Sequence, residues 1–200
     1  MLFRSSSYAI IGPSGAGKST IADLLLRFYE PDTGNIVLND IRIHELDPME
    51  LRGKIVMVEQ QARVFNATIY SNIAFGRSAR LEEVRRACKL ACIDGDIMNF
   101  PLGYQTLISY QGGNLSGGQR QRIVLARALL MKADVLVLDE SLSALDESTR
   151  KAVFENVLSE YADGIVILIT HDLSLTQSVD KVIDLTQADG QARHALEPTP

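Results

Sequence analysis

Gly12-Pro13-Ser14-Gly15-Ala16-Gly17-Lys18-Ser19 fits the pattern G-x-x-x-x-G-K-[ST], and its surroundings decide the fold. The β-prone run Tyr8-Ala9-Ile10-Ile11 stops at Gly12. A helical pattern follows over 18–29, with Ile21, Leu24, Leu25 and Phe28 on one face. A strand, a glycine-rich loop and a helix in that order can wrap a chain of phosphates. Glycine has no Cβ, so the loop N–H groups can turn inward. The helix then aims its own N–H groups at the same anion. Lys18 supplies a charge for the β- and γ-phosphates, the Ser19 hydroxyl is a ligand for Mg²⁺, and Thr20 completes the nucleotide-binding run. The competing reading, a glycine-rich turn that binds nothing, does not explain the strand and helix on either side.

Outward from this loop, Val135-Leu136-Val137-Leu138-Asp139-Glu140 is an apolar strand that ends in two acids. In an open α/β sheet, ligands sit at the carboxyl ends of the strands. Asp139 is therefore expected beside the metal, and Glu140 beside the water that attacks the γ-phosphate. A helix cap or a solvated loop acid is the alternative. The run 165–169 is apolar throughout as well. Both runs predict central strands of a parallel sheet covered on both faces, with a crossover helix over 147–161. Shorter strands are expected at 36–38, 55–58 and 181–185. Asp47-Pro48 reads as a cap and first-turn proline, opening a short helix over 49–52. Residues 66–130 hold no good strand. Helices over 81–91 and 119–130, with a glycine-rich break at 112–118, predict a helical subdomain inserted between strands.

Composition narrows the partners. Asp and Glu number 25 against 20 Lys and Arg, a net charge of −5, which argues against nucleic acid. Arg120, Arg122 and Arg127 lie close together and read as the solvated face of a helix. Cys88 and Cys92 are four apart in a helical stretch and point the same way. One helical turn suits a disulfide poorly, and no His stands beside them, so they read as buried thiols. No apolar run approaches the roughly 18 residues of a membrane helix. Residues 1–7 lack the apolar stretch of a signal peptide. The chain is expected to be soluble alone, with any membrane role supplied by a partner.

Leu115-Ser116-Gly117-Gly118-Gln119 opens a second helix at a second glycine-rich break. One nucleotide site has no need of two such helix starts, but a head-to-tail dimer does, each copy covering the γ-phosphate held by the other. This motif resembles the signature of the ABC ATPase family, and the resemblance covers about 8–186. It implies further roles in the family's order. Gln60 looks like the glutamine that touches Mg²⁺ and links the core to the helical subdomain. Ser143-Ala144-Leu145-Asp146 looks like the loop that crosses the dimer interface, and His171 like the switch histidine at the γ-phosphate. Catalysis is thereby assigned to Glu140, His171 and Gln60, and the metal to Ser19, Gln60 and Asp139.

Phe65-Asn66-Ala67-Thr68-Ile69 with Asn72-Ile73, and Thr106 to Ser109 before Gly112-Gly113-Asn114, are similar to exporters. Exporters usually carry a glutamate where Tyr110 stands, which puts coupling to transmembrane helices in question. The resemblance also implies some thirty residues before the phosphate-loop strand, one of them an adenine-stacking aromatic, whereas here only eleven residues precede Gly12. Adenine is then expected to be held less firmly and a sheet edge to be left open. Tyr8 reads as a packed strand residue rather than a substitute.

The expected fold is α/β, a P-loop NTPase with a mostly parallel sheet covered by helices, an inserted helical subdomain and a reduced N-terminal β-subdomain. An ABC ATPase domain over 1–187 is followed by a polar tail over 188–200. The expected cofactors are ATP and Mg²⁺. The expected partners are a second ABC domain, identical or homologous, and a transmembrane domain, with no nucleic acid. The expected location is the cytoplasmic face of a membrane. Two other readings stay open at this stage, an ABC ATPase without a transport role and an inactive truncated fragment.

Overall fold

A computed structural model of the chain describes residues 6–187, so the expected tail at 188–200 lies outside the described residues. The strands are β1 (Ser6–Ile11), β2 (Val37–Leu38), β3 (Ile41–Arg42), β4 (Ile55–Val58), β5 (Val135–Asp139), β6 (Ile165–Ile169) and β7 (Lys181–Asp184). The α-helices are α1 (Lys18–Leu25), α2 (Pro48–Lys54), α3 (Ile69–Ala74), α4 (Leu81–Leu90), α5 (Asp94–Met98), α6 (Gly117–Met131) and α7 (Glu147–Glu160). Five strands form one sheet in the order β4-β5-β6-β1-β7, and every pairing in it is parallel.

Alternation along the strands divides the core in two. Successive side chains of a strand face opposite ways. In β5, Leu136 and Leu138 enter one cluster and Val135 and Val137 the other. β4 and β6 split alike: Val56, Val58, Val166 and Leu168 join the first cluster, Ile55 and Ile169 the second. Each such burial contributes roughly 1.5–3 kcal/mol, so an unbroken apolar run is what a sheet covered on both faces requires. The second cluster is closed by Ala22, Leu26 and Leu51, from the α1 and α2 side. The first runs on into the region between β4 and β5 through Ile69, Ile73, Val84, Ile123 and Leu125. Helix α6 packs against α3, α4 and β4, so it joins the inserted helices to the sheet.

Several expectations change. α1 stops at Leu25, not at residue 29. Arg27 turns left-handed at φ 57°, Arg27 N donates to Leu24 O, and Phe28 N donates to Asp23 O. This is a Schellman stop with arginine at the position glycine usually takes. Phe28 therefore leaves the packed face and is 54% exposed. α4 ends the same way, with Cys92 at φ 53°, Cys92 N bonded to Lys89 O and Ile93 N to Cys88 O. Cys92 thus lies past the helix and half-buried while Cys88 is in the core. The two thiols do not share a helix face, and both are free. The strand expected at 36–38 is half of a hairpin with β3, turned by Asn39 (φ 51°) and Asp40 (φ 63°), the left-handed pair of a type I′ turn.

The three arginines are not a solvated face. Arg120 Nη1 donates to Gly112 O and Leu115 O. Arg122 pairs with Asp96 at 2.7 Å and donates to Cys92 O. Arg127 donates to Asn72 O and Arg63 O, with its guanidinium 5.2 and 5.0 Å from the ring centres of Phe65 and Phe75. Burial lowers its pKa to about 10. Loop carbonyls around α6 need donors, and long arginines reach them.

Asn72, buried at the centre of this network, accepts from Phe65 N and donates to Phe65 O and Thr68 O. Asn72→Ala is expected to destabilise the fold by about 3 kcal/mol, because several buried partners lose their bonds together. Urea unfolding measures this, and a shift below about 1 kcal/mol would contradict the role given to that network.

Candidate functional site

The phosphate loop joins β1 to α1. Gly15 (φ 82°) and Gly17 (φ 88°) hold a conformation that L side chains rarely adopt. Gly17 is also the N-cap of α1 and brings no side chain to cap it, so the first N–H groups of the helix remain open to an anion. Lys18 is buried and lies across the loop, with Nζ donating to Gly12 O at 2.8 Å and to Pro13 O at 3.0 Å. Ser19 Oγ donates to Asp139 Oδ2 at 3.0 Å, which links α1 to the end of β5. Burial raises the Asp139 carboxyl above the ordinary carboxylate range. The Ser19 bond opposes this and the Glu140 charge adds to it.

Strand order brings the rest together. β4, β5 and β6 are neighbours, and Gln60, Glu140 and His171 follow their ends. Glu140 sits left-handed at φ 47°, its N–H bonded to Ile169 O at 2.9 Å. Such a backbone costs on the order of 1–3 kcal/mol and clusters at functional sites. Glu140 Oε2 accepts from Gln60 Nε2 at 3.1 Å, and Oε1 lies 3.2 Å from His171 Nδ1.

A cavity of about 530 Å³ is lined by Gly12, Pro13, Ser14, Gly15, Gly17, Lys18, Ser19, Thr20, Gln60, Asp139, Glu140 and His171. Ala16 does not line it, and neither does any Phe, Tyr or Trp among the described residues. Tyr8 packs in β1, half-buried, with Lys181 Nζ 5.6 Å from its ring centre. A hydroxyl and a partly buried carboxylate, next to the Glu140 carboxylate, are hard oxygen donors in a negative setting. No cluster of three or more His, Cys, Asp or Glu able to hold a metal occurs among the described residues. Oxygen donors of this kind fit a small hard cation better than a soft one.

Leu115 to Gln119 do not line this cavity. Leu115 is buried in the core, so it does not face a ligand. Ser116 caps α6, accepting from Gln119 N at 3.1 Å, while Gln119 Oε1 accepts from Ser116 N at 3.0 Å. Gly117 and Gly118 complete that first turn, beside Ala144. Ser143 and Ala144 are exposed and Leu145 is buried. Asp146 caps α7 by accepting from Thr149 N, and the Ser148 hydroxyl, then Thr149, hold its carboxyl well below the usual range. Sequence reasoning missed Asn72 and Arg127 as joint anchors, and Gln121 beside Ala144. Buried side-chain bonds between segments that are distant in the chain leave no periodic trace.

The family model described as ABC transporter matches residues 2–143. The chain is 38% identical over 188 residues to the lactococcin-G-processing and transport ATP-binding protein LagD of Lactococcus lactis, covering 93% of this chain and 27% of that protein. It is 41% identical over 186 residues to the transport/processing ATP-binding protein ComA of Streptococcus pneumoniae, covering 92% and 26%. With the ATP-dependent lipid A-core flippase of Chromobacterium violaceum it shares 40% over 189 residues, covering 93% and 32%. The solved structure of a bacterial Atm1-family ABC exporter with ATP bound superposes with a TM-score of 0.85 at 39% identity, covering 90% of this chain and 32% of that one. The chain thus spans about a quarter to a third of the proteins it matches. With its parallel sheet, its glycine loop against α1 and these likenesses along nearly its whole length, the chain belongs to the ABC transporter family.

Proposed function

We propose that this domain closes head to tail with an identical or homologous ABC domain on two ATP molecules, and that closure and hydrolysis drive export through a membrane-embedded partner. The observation that carries the reading is the Glu140 carboxylate, held between Gln60 and His171 in the cavity that also holds Lys18, Ser19 and Asp139. The Leu115–Gln119 helix start, outside that cavity, is free to cover the site of another copy.

In this mechanism the loop N–H groups and the N-terminus of α1 cradle the phosphates, and Lys18 leaves the loop carbonyls for the β- and γ-oxygens. Ser19, Asp139 and Gln60 would hold Mg²⁺, which neutralises charge on those oxygens when bound. Glu140 accepts a proton from the attacking water as it bonds in line to the γ-phosphorus, while the bond to the β,γ-bridging oxygen breaks and ADP leaves. His171, beside the same carboxylate, orients the terminal phosphate. Ser116 and the Gly117–Gly118 amides of the second copy add dipoles where negative charge develops.

The path to a membrane partner runs through the segment after Gln60. Phe65 and Phe75 are exposed there, stacked 5.4 Å apart around Arg127, and Leu107 and Tyr110 are exposed in the loop before the signature. Tyr110 gives this face a ring where a carboxylate is usual. No helix among the described residues is long and apolar enough to cross a membrane. The domain would act at the cytoplasmic face through a separate segment or chain. Relatives named as exporter, flippase and export ATP-binding/permease protein support the direction.

Two variants test this. Glu140→Gln is expected to bind ATP, to dimerise in ATP and magnesium, and to release phosphate about 10²–10⁴-fold more slowly than the unaltered chain. Light scattering and a phosphate-release assay read the two effects, and near-normal turnover would remove Glu140 from its role. Lys18→Ala is expected to lose ATP affinity in a direct binding titration while keeping its unfolding free energy to within about 1 kcal/mol. Undiminished affinity would mean that the nucleotide sits elsewhere.

A further inference from the structure

The signature helix and the loop over 143–146 already touch within one copy. A Cβ on Gly118 would lie 3.2 Å from Ala144 O and 3.3 Å from Leu145 Cδ2, so the two backbones approach as closely as glycine allows. Such contact sets a distance but no register. Register comes from Gln121, one turn into α6 and 5% exposed, whose Oε1 accepts from Ala144 N at 3.1 Å. Ser143 N, one residue back, donates to Glu140 O at 3.2 Å. The start of α6, the exposed loop and the backbone of Glu140 are thus joined in sequence by two directional bonds.

We infer that Gln121 is a positioning residue for hydrolysis: it makes the signature helix and the 143–146 loop one body, so that a partner seating on the signature also sets Glu140. This rests on the head-to-tail reading above. A buried side-chain acceptor spent on a loop amide has a directional job that a packed apolar side chain at the same place could not do. The loop's other amide bonds are local, Leu145 N to Leu142 O and Ser143 N to Glu140 O, so Gln121 is what ties Ala144 to α6.

The test compares Gln121→Met, of similar length without the acceptor, Gln121→Asn, which withdraws it by one carbon, and Gln121→Glu, which keeps an oxygen in place. In the nucleotide-free chain, the Ala144 amide is expected to exchange about tenfold faster in the Met and Asn variants than in the unaltered and Glu forms. With ATP and magnesium, the Met and Asn variants are expected to lose about tenfold in kcat, the size of one lost hydrogen bond, with KM within about twofold. Placed on Glu140→Gln, they are expected to need more protein to dimerise. Glu restores each readout. An unaltered chain that hydrolyses and dimerises while both variants match it overturns this inference alone, as does a change in KM without kcat. A Glu140→Gln chain that stays monomeric in ATP overturns the head-to-tail reading, and this inference with it. Should one acceptor-less variant fail to fold, the other decides.

Discussion

The register that pairs Leu138 of β5 with Val58 of β4 and Leu168 of β6 brings three strand ends to one level. Parallel pairing then sends all three chains out on the same side of the sheet. Gln60, Asp139–Glu140 and His171 meet there because of sheet geometry, not because of closeness in sequence. Residues 80 and 31 positions apart from Glu140 reach its two oxygens. A one-residue slip of β5 would exchange Leu136 and Leu138 for Val135 and Val137 across the two cores and carry both acids off the ledge. The burial of these alternate side chains is therefore what fixes the chemistry.

Helix α6 carries this order outward. Its apolar residues belong to the first core, which is continuous from the sheet to α3 and α4. Its polar side chains spread in different directions: Arg127 to the segment after Gln60, Arg122 to the turn after α4, Arg120 to the glycine break, Gln121 to Ala144. A helix tied at so many points is a lever rather than a loose appendage. The exposed Phe65–Phe75 face and the signature are joined through one helix of 15 residues, which holds both Arg127 and Gln119. That is the physical content of coupling on the proposed reading.

The sheet was legible because burial on two faces writes itself into the sequence as unbroken apolar runs, at 135–138 and 165–169. The phosphate loop was legible because its geometry admits few residues at positions such as Gly15 and Gly17. The stops of α1 and α4 were not, because Arg27 and Cys92 occupy the left-handed position where glycine would have announced it. β3 was missed because a two-residue strand has no period to detect. The arginines of α6 were misread for a related reason: a charged side chain looks the same in sequence whether it meets water or a distant carbonyl. Residues such as Asn72 and Gln121, whose partners are set by tertiary packing, carry no local mark at all.

The two glycine-rich helix starts differ in a way that sequence alone conceals. At α1, Gly17 offers no side chain to cap the first amides of the helix. At α6, Ser116 and Gln119 satisfy each other's backbone N–H groups, a capping box that does not take up the Gly117 and Gly118 amides between them. The first is therefore a standing anion site, with Lys18 at hand. At the second, part of the helix start is already taken up by the capping box, so it offers a phosphate fewer open donors than the first. On the proposed reading, such an end would add to a triphosphate already held by another copy. Unequal helix starts would in this way impose an order on assembly, with nucleotide taken up at α1 first and the second domain closing over it afterwards.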